Sequence, residues 1–379
     1  MSTTRLDSSI KPEIERSLNP RKSEFSREGM IMAVARKKHQ RLKKGSDFAC
    51  MVVEGSIELS ECLKKLLDYR NTLKTNTRFQ ILYLYDNVHW FPLDCQLNEE
   101  KQFTFFLIDP AIFSDSLLET RSCILEQMPD ATINFLALTP TTKIQRCYKN
   151  CGTFALDIAF GLSRIPNTFE LLSKVVKPQS DSTQIKSLVI EDLPVELGFI
   201  IRNMHSISTL KKLSSKKNYL SNSQTLVRDY FNKHTESKPN GGEANVGIDY
   251  KLSTIKSRSF RYFKTLFDYE IAALLTYNDN FIDELINDKK TSWPPNELER
   301  KTHFPSGQSD SKYESIIEVH DLPVEEDPYE MFYLTSSYPG QAILGWVSTC
   351  SSLLFTAVKK VSSSRQQEHR SSYPPSRLG

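Results

Sequence analysis

The chain is 379 residues long and 39% apolar, enough to bury one large core or two ordinary ones. Its 49 basic and 46 acidic residues leave a formal charge of +3, so no global field draws it towards nucleic acid or an anionic membrane, and any such role must rest on a local cluster. The seven cysteines are odd in number and scattered, with no C-x-x-C pair and no Cys/His zinc spacing, which points to reduced thiols and against a metal site.

Residues 1–27 are polar, rich in Ser and Arg, and carry no apolar run of the signal-peptide kind; they are expected to form a disordered leader. From Glu28 to Lys44 the pattern is helical, with Met30, Val34 and Leu42 set among Arg36, Lys37, Lys38, Arg41, Lys43 and Lys44, the densest basic cluster. It is either a solvated helix face or an anion-binding one. Leu59, Leu63, Leu66 and Leu67 space a second helix over Ile57 to Tyr69, so residues 28–75 are read as a helical part preceding the core.

At Arg78 the pattern changes. Phe79 to Tyr85 is a strand-like run, Asp86-Asn87 supplies a turn, Val88 to Phe91 resumes extended structure, and Phe103 to Ile108 is a third buried strand closed by Asp109-Pro110. Ser114 to Gln127 reads as a helix and Thr132 to Leu138 as a fourth strand. After Pro140, a loop over Thr141 to Asn150 runs into an apolar helix that starts at Cys151. Residues 76–200 are thus the expected core of an α+β fold, a mixed sheet packed by helices. Residues 201–330, interrupted by Gly241-Gly242 and Pro294-Pro295, read as helices with insertions. The remaining 331–379 contain an uncharged stretch, Phe332 to Val358, and a polar tail. Pro339, Gly340 and several serines dilute the apolar content of that stretch, which favours a buried or membrane-surface helix over a spanning one.

The run Cys151-Gly152-Thr153-Phe154-Ala155 puts a thiol in the first turn of a helix, where free amides and partial positive charge favour the thiolate, the nucleophilic form. On position alone a buried structural cysteine is the commoner fate. His89 opens one strand and Asp109 closes the next, so hairpin pairing would set an imidazole beside a carboxylate. Singly, the histidine reads as packing and the aspartate as a turn former. Together, the order His, Asp, Cys satisfies the logic of base, orienter and nucleophile. Gln145, six residues before Cys151, brings an amide that can join the Cys151 backbone N–H in stabilising an oxyanion.

Val88-His89-Trp90, Leu107-Ile108-Asp109-Pro110-Ala111 and Gln145-Arg146 through Cys151-Gly152-Thr153-Phe154-Ala155-Leu156 resemble the YopJ family of bacterial effector acetyltransferases, relatives of the SUMO-protease clan of cysteine peptidases. The likeness runs from about Arg78 to Leu162 and includes the spacings, with Asp109 lying 20 residues after His89 and 42 before Cys151. It implies a papain-like catalytic core, with a helical regulatory region built from segments on both sides of it. It also implies a Cys151 acyl-enzyme, formed from acetyl-CoA and resolved by a Ser, Thr or Lys of a host protein, a kinase or another immune or signalling protein. The activator would be inositol hexakisphosphate (IP6), held by basic residues drawn from Arg36, Lys37, Arg41 and Lys44 before the core and Lys233, Lys238, Lys256, Arg258, Arg261 and Lys264 after it. Arg146 resembles a position that meets a CoA phosphate, and Lys233 one that is acetylated in family members. Such a protein is secreted by a bacterium and acts in the host cytoplasm, with membrane association or nuclear entry left open. Asp109 stands where the family often has Glu, and Lys143, Cys147 and Lys149 depart from the small or acidic residues expected there. The competing reading is a cysteine peptidase or deconjugating enzyme of the same clan, in which water resolves the acyl-enzyme and no polyanion site is needed.

Overall fold

The computed structural model describes residues 9–19, 24–43, 45–111, 114–139, 142–145, 150–179, 182–202, 235–237 and 243–287, all within the unit Met1–Phe304. Lys44, Arg146, Cys147, Lys149, Lys233, Lys238 and the uncharged stretch 332–358 lie outside the described residues.

Seven strands, β1 (Cys50–Glu54), β2 (Arg78–Tyr85), β3 (His89–Leu97), β4 (Phe103–Leu107), β5 (Thr132–Ala137), β6 (Lys177–Gln179) and β7 (Ser182–Val189), form one sheet in the order β1-β2-β3-β4-β5-β7-β6. The β2–β3, β3–β4 and β6–β7 pairs are antiparallel and the other three parallel, so the sheet is mixed. A small antiparallel pair, β8 (Thr235–Ser237) and β9 (Glu243–Asn245), stands apart from it in the strand pairing. The helices are α1 (Ile10–Leu18), α2 (Arg27–Leu42), α3 (Gly55–Asp68), α4 (Ser114–Gln127), α5 (Cys151–Leu162), α6 (Thr168–Ser173), α7 (Phe199–Arg202), α8 (Val246–Phe263), α9 (Asp268–Asp279) and α10 (Phe281–Ile286). The fold is the mixed α+β arrangement expected from the sequence.

The central strands are apolar on both faces because both are covered. Leu82, Leu84 and Trp90 point into a cluster with α2, α5 and α8, while Ile81, Tyr83, Phe91 and Leu93 point into another with α3 and α4. Helix α5 is buried nearly all round, its far side packing Phe154, Ile158 and Leu162 on Phe106, Ile108 and Leu136.

Two stretches differ from expectation. Part of the segment read as a disordered leader is helix α1, and its Ile14 and Leu18 are fully buried. Ile10, Ile14 and Leu18 recur every four residues, a short stripe that docks only because α2 and α8 lie beside it. β1 and α3 fall within the helical part placed before the core, yet β1 pairs with β2 and α3 packs on the sheet. The outer edge of β1 is closed by the Asn278 side chain, whose Nδ2 donates to the Val52 carbonyl (3.0 Å) and whose Oδ1 accepts from the Val52 N–H (2.8 Å).

The C-terminal end of α5 is tied to the start of β2 by Arg78. Its guanidinium donates to the carbonyls of Leu162 (2.9 Å) and Ile165 and to Thr168 Oγ1 (2.8 Å), and grips both oxygens of the fully buried Asp94. Gln80 Nε2 donates to the same carboxylate (2.9 Å). Among the described residues no helix is long and apolar enough to cross a membrane.

Arg78→Met leaves the Asp94 charge buried without its partner and should cost about 3–5 kcal/mol in urea unfolding. The double variant Arg78→Met/Asp94→Leu should recover much of that loss; additive losses would contradict the pairing.

Candidate active site

The site is assembled where β3 begins, β4 ends and α5 starts. Asp86 and Asn87 turn the chain between β2 and β3 with positive φ angles of 47° and 58°, which Asp and Asn tolerate, and the Val88 N–H closes the turn on the Tyr85 carbonyl (3.0 Å). His89 is therefore the first residue of β3, opposite Tyr85. The β3–β4 pairing stops at Leu93↔Leu107. Pro92, next in line, has a carbonyl that accepts from the Ile108 N–H (3.4 Å), so its missing N–H falls on the β4 side and the ladder cannot continue. Beyond that break, Asp109 leaves β4 and reaches His89.

His89 Nε2–H donates to Asp109 Oδ1 at 2.9 Å, and the imidazole also hydrogen-bonds Cys151, for which Nδ1 is the remaining ring nitrogen. The carboxylate is held in turn, Oδ1 accepting from the Ala111 N–H (2.9 Å) and Oδ2 from the Ser116 hydroxyl in α4 (3.1 Å). His89, Asp109 and Cys151 are 2%, 4% and 3% exposed. Burial pushes the His89 pKa down, but the hydrogen bonds and negative charges of Asp109 and Cys151 outweigh it and raise the value from 6.5 to about 9. The imidazole is thus held as imidazolium at neutral pH. Gln145 is buried, and its backbone N–H donates to the Pro110 carbonyl (2.8 Å), which ties the loop before α5 to the residue after Asp109.

Next to the thiol, Gly152 permits a close approach that a side chain would block. A Cβ there would lie 2.7 Å from Phe25 Cδ2, 3.0 Å from Met30 Cε and 3.1 Å from Trp90 Cδ1. Trp90 Nε1 donates to the Phe25 carbonyl (3.1 Å), which fixes the segment before α2 over the start of α5.

The basic residues separate into groups. Arg36 of α2 lies with Arg258 and Arg261 of α8; burial and those two charges push its pKa down to about 10. Among the described residues neither Arg36 nor Arg258 makes an ion pair. Lys37 and Arg41 instead lie over the Phe160 ring with Arg164, at 4.2, 5.9 and 4.5 Å from its centroid. This is the C-terminal end of α5, where cations meet the negative end of the helix dipole. Lys264 pairs with Glu15, and Lys256 is turned inward.

Sequence reasoning did not find Ser116, whose only signal is a hydroxyl in the first turn of the helix that follows Asp109. Nor did it find the Phe25–Gly152 contact, which joins segments more than a hundred residues apart. Among the described residues no group of three or more His, Cys, Asp or Glu is placed to hold a metal ion, and Cys50, Cys62, Cys95, Cys123 and Cys151 are free thiols.

A thiol at a helix start, an imidazole on it and a carboxylate behind the imidazole make the arrangement of the cysteine-nucleophile enzymes. The family model for the YopJ serine/threonine acetyltransferases matches residues 2–262, and the chain belongs to that family. No curated protein matches it in sequence. Among solved structures, a deletion variant of AvrA with IP6 and CoA is 18% identical, the match covering 61% of this chain and 85% of that one at a TM-score of 0.44. HopZ1a in complex with IP6 and CoA is 11% identical, covering 68% and 99% at 0.43.

Folding raises the His89 pKa, so the stability this residue contributes is fully present below pH 6.5 and is lost as the pH rises through about 9. Cys151→Ala and Asp109→Asn each remove one source of the upward shift, and each should lower the His89 midpoint in an NMR titration. A wild-type His89 that titrates near its unperturbed value would contradict the pairing.

Proposed function

We propose that the chain is an acetyltransferase that forms a Cys151 thioester from acetyl-CoA and passes the acetyl group to a Ser, Thr or Lys of a host protein. The observation that carries this reading is His89 held between Asp109 and Cys151 at the buried start of α5.

The thiolate attacks the acetyl carbonyl, and the negative charge that develops on oxygen meets the Cys151 backbone N–H and the Gln145 amide. The His89 imidazolium gives its proton to the departing CoA sulfur. In the second half the neutral imidazole takes the proton of the acceptor hydroxyl or amine as that group attacks the thioester. Collapse of the second tetrahedral species returns the Cys151 thiolate beside the imidazolium. Asp109 keeps the ring oriented throughout, a role for which Asp serves as well as Glu because its two oxygens are already fixed by Ala111 and Ser116. Arg146 is the residue we assign to a CoA phosphate.

IP6 is the activator in this reading. Three guanidinium groups, Arg36, Arg258 and Arg261, gather from two helices although they repel one another, which suits a highly charged anion as their common partner. Lys37 and Arg41 lie along the same helix, α2, towards Phe160, and Lys233 and Lys238 complete the expected ligand set. Family membership supports a bacterial effector delivered into a host cell, with host kinases or immune and signalling proteins as substrates.

Intact-protein mass spectrometry after mixing with acetyl-CoA, with and without IP6, should give acetyl mass shifts that IP6 stimulates and that vanish in Cys151→Ala. Arg258→Glu/Arg261→Glu should lose the stimulation. Wild-type protein that stays unmodified under every condition would overturn the reading.

A further inference from the structure

Lys256 lies two residues before Arg258 on α8, yet it is 2% exposed. Its ammonium donates to the Ser17 carbonyl of α1 (3.3 Å) and sits 4.7 Å from the centroid of the Phe25 ring. That ring packs on Gly152, the residue after the nucleophile, and α8 packs directly on α5. One aromatic ring therefore stands between a buried cation and the start of the helix that carries Cys151.

The reactive form of the site holds a thiolate, an imidazolium and a carboxylate, a net charge of minus one in a region closed to water. Burying an unbalanced charge is costly unless an opposite charge lies near. Burial draws the Lys256 pKa down to about 8, while negative charge at Cys151 on α5 and at Glu24 before α2 acts the other way. The other cation that meets the thiol is the imidazolium of His89, from β3. A Leu or Met would fill a slot beside Phe25 and Ile255 without the cost of desolvating an ammonium, so packing alone does not account for a lysine there.

We propose that Lys256 is a positioning residue of the acyl-transfer centre, a buried cation that balances the Cys151–His89–Asp109 charges and holds the thiolate form without touching substrate. The inference rests on Cys151 being the nucleophile. Arg258 and Arg261 are carried by the same helix, so an anion bound to them also fixes the element that delivers Lys256.

The test is the pH profile of Cys151 alkylation by iodoacetamide, read by peptide mass spectrometry, which needs no acetyl-CoA and so fails independently of the acetyl-transfer reading. In Lys256→Met the half-maximum should move up by about one pH unit, making alkylation near neutral pH about tenfold slower, and Lys256→Arg should restore most of it. Circular dichroism and thermal unfolding establish that the variants fold; if Lys256→Met does not, Lys256→Gln, which keeps a polar head for the Ser17 carbonyl, carries the comparison. A folded, uncharged variant with an unmoved profile would overturn the proposal, whatever its loss of stability.

Discussion

The hydrogen bond between His89 and Asp109 ties the start of β3 to the residue that follows β4, beside the first turn of α5. β3 must start at His89, β4 must end just before Asp109, and α5 must present its first residue to the free edge of the ring. Each condition has a local cause. The Asp86-Asn87 turn sets the first residue of β3, and Pro92 ends the β3–β4 ladder so that the two chains can part. The apolar surface of α5, sunk against β3, leaves the helix little choice of position. Arg78 anchors its other end through the Leu162 carbonyl, so the site is held from both termini of one helix.

Electrostatics follows from that placement. A thiol buried in apolar surroundings is ordinarily inert, as burial of Cys50 and Cys62 illustrates by pushing their pKa values up, that of Cys62 to about 12. Cys151 is equally buried but meets amides at a helix start, an imidazole and, across the Phe25 ring, an ammonium. Equally buried thiols therefore differ in which charged groups share their space. The cations around Phe160 at the other end of α5 complement its dipole, while Arg36, Arg258 and Arg261 on α2 and α8 repel one another.

Much of this was legible in the sequence where a periodic pattern was long and unbroken. The strands β2, β4 and β5 and the helices α2 to α4 lie within a few residues of their expected limits, α5 starts at Cys151 as expected, β3 runs on to Leu97 past its expected end at Phe91, and the three residues expected to act together do meet. What the sequence hid depended on partners distant along the chain. In α1, Ile14 and Leu18 sit among polar residues, and β7, Ser182–Val189, is a largely polar strand with little alternation to see. Lys256 lies in a run of basic and polar residues that looks like a solvated face. Its partners, the Phe25 ring and the Ser17 carbonyl, lie more than two hundred residues earlier and hold it inward, apart from Arg258 and Arg261.

The most direct test of the central claim is acid-quenched single-turnover reaction with acetyl-CoA in the presence of IP6, followed by peptide mapping under conditions that preserve thioesters. The account predicts an acetyl group on the Cys151 peptide that hydroxylamine removes, that forms before any acceptor is modified, and that is lost in His89→Ala. Acetylation of acceptor residues at full rate, with no thioester at Cys151 at any quench time, would contradict it.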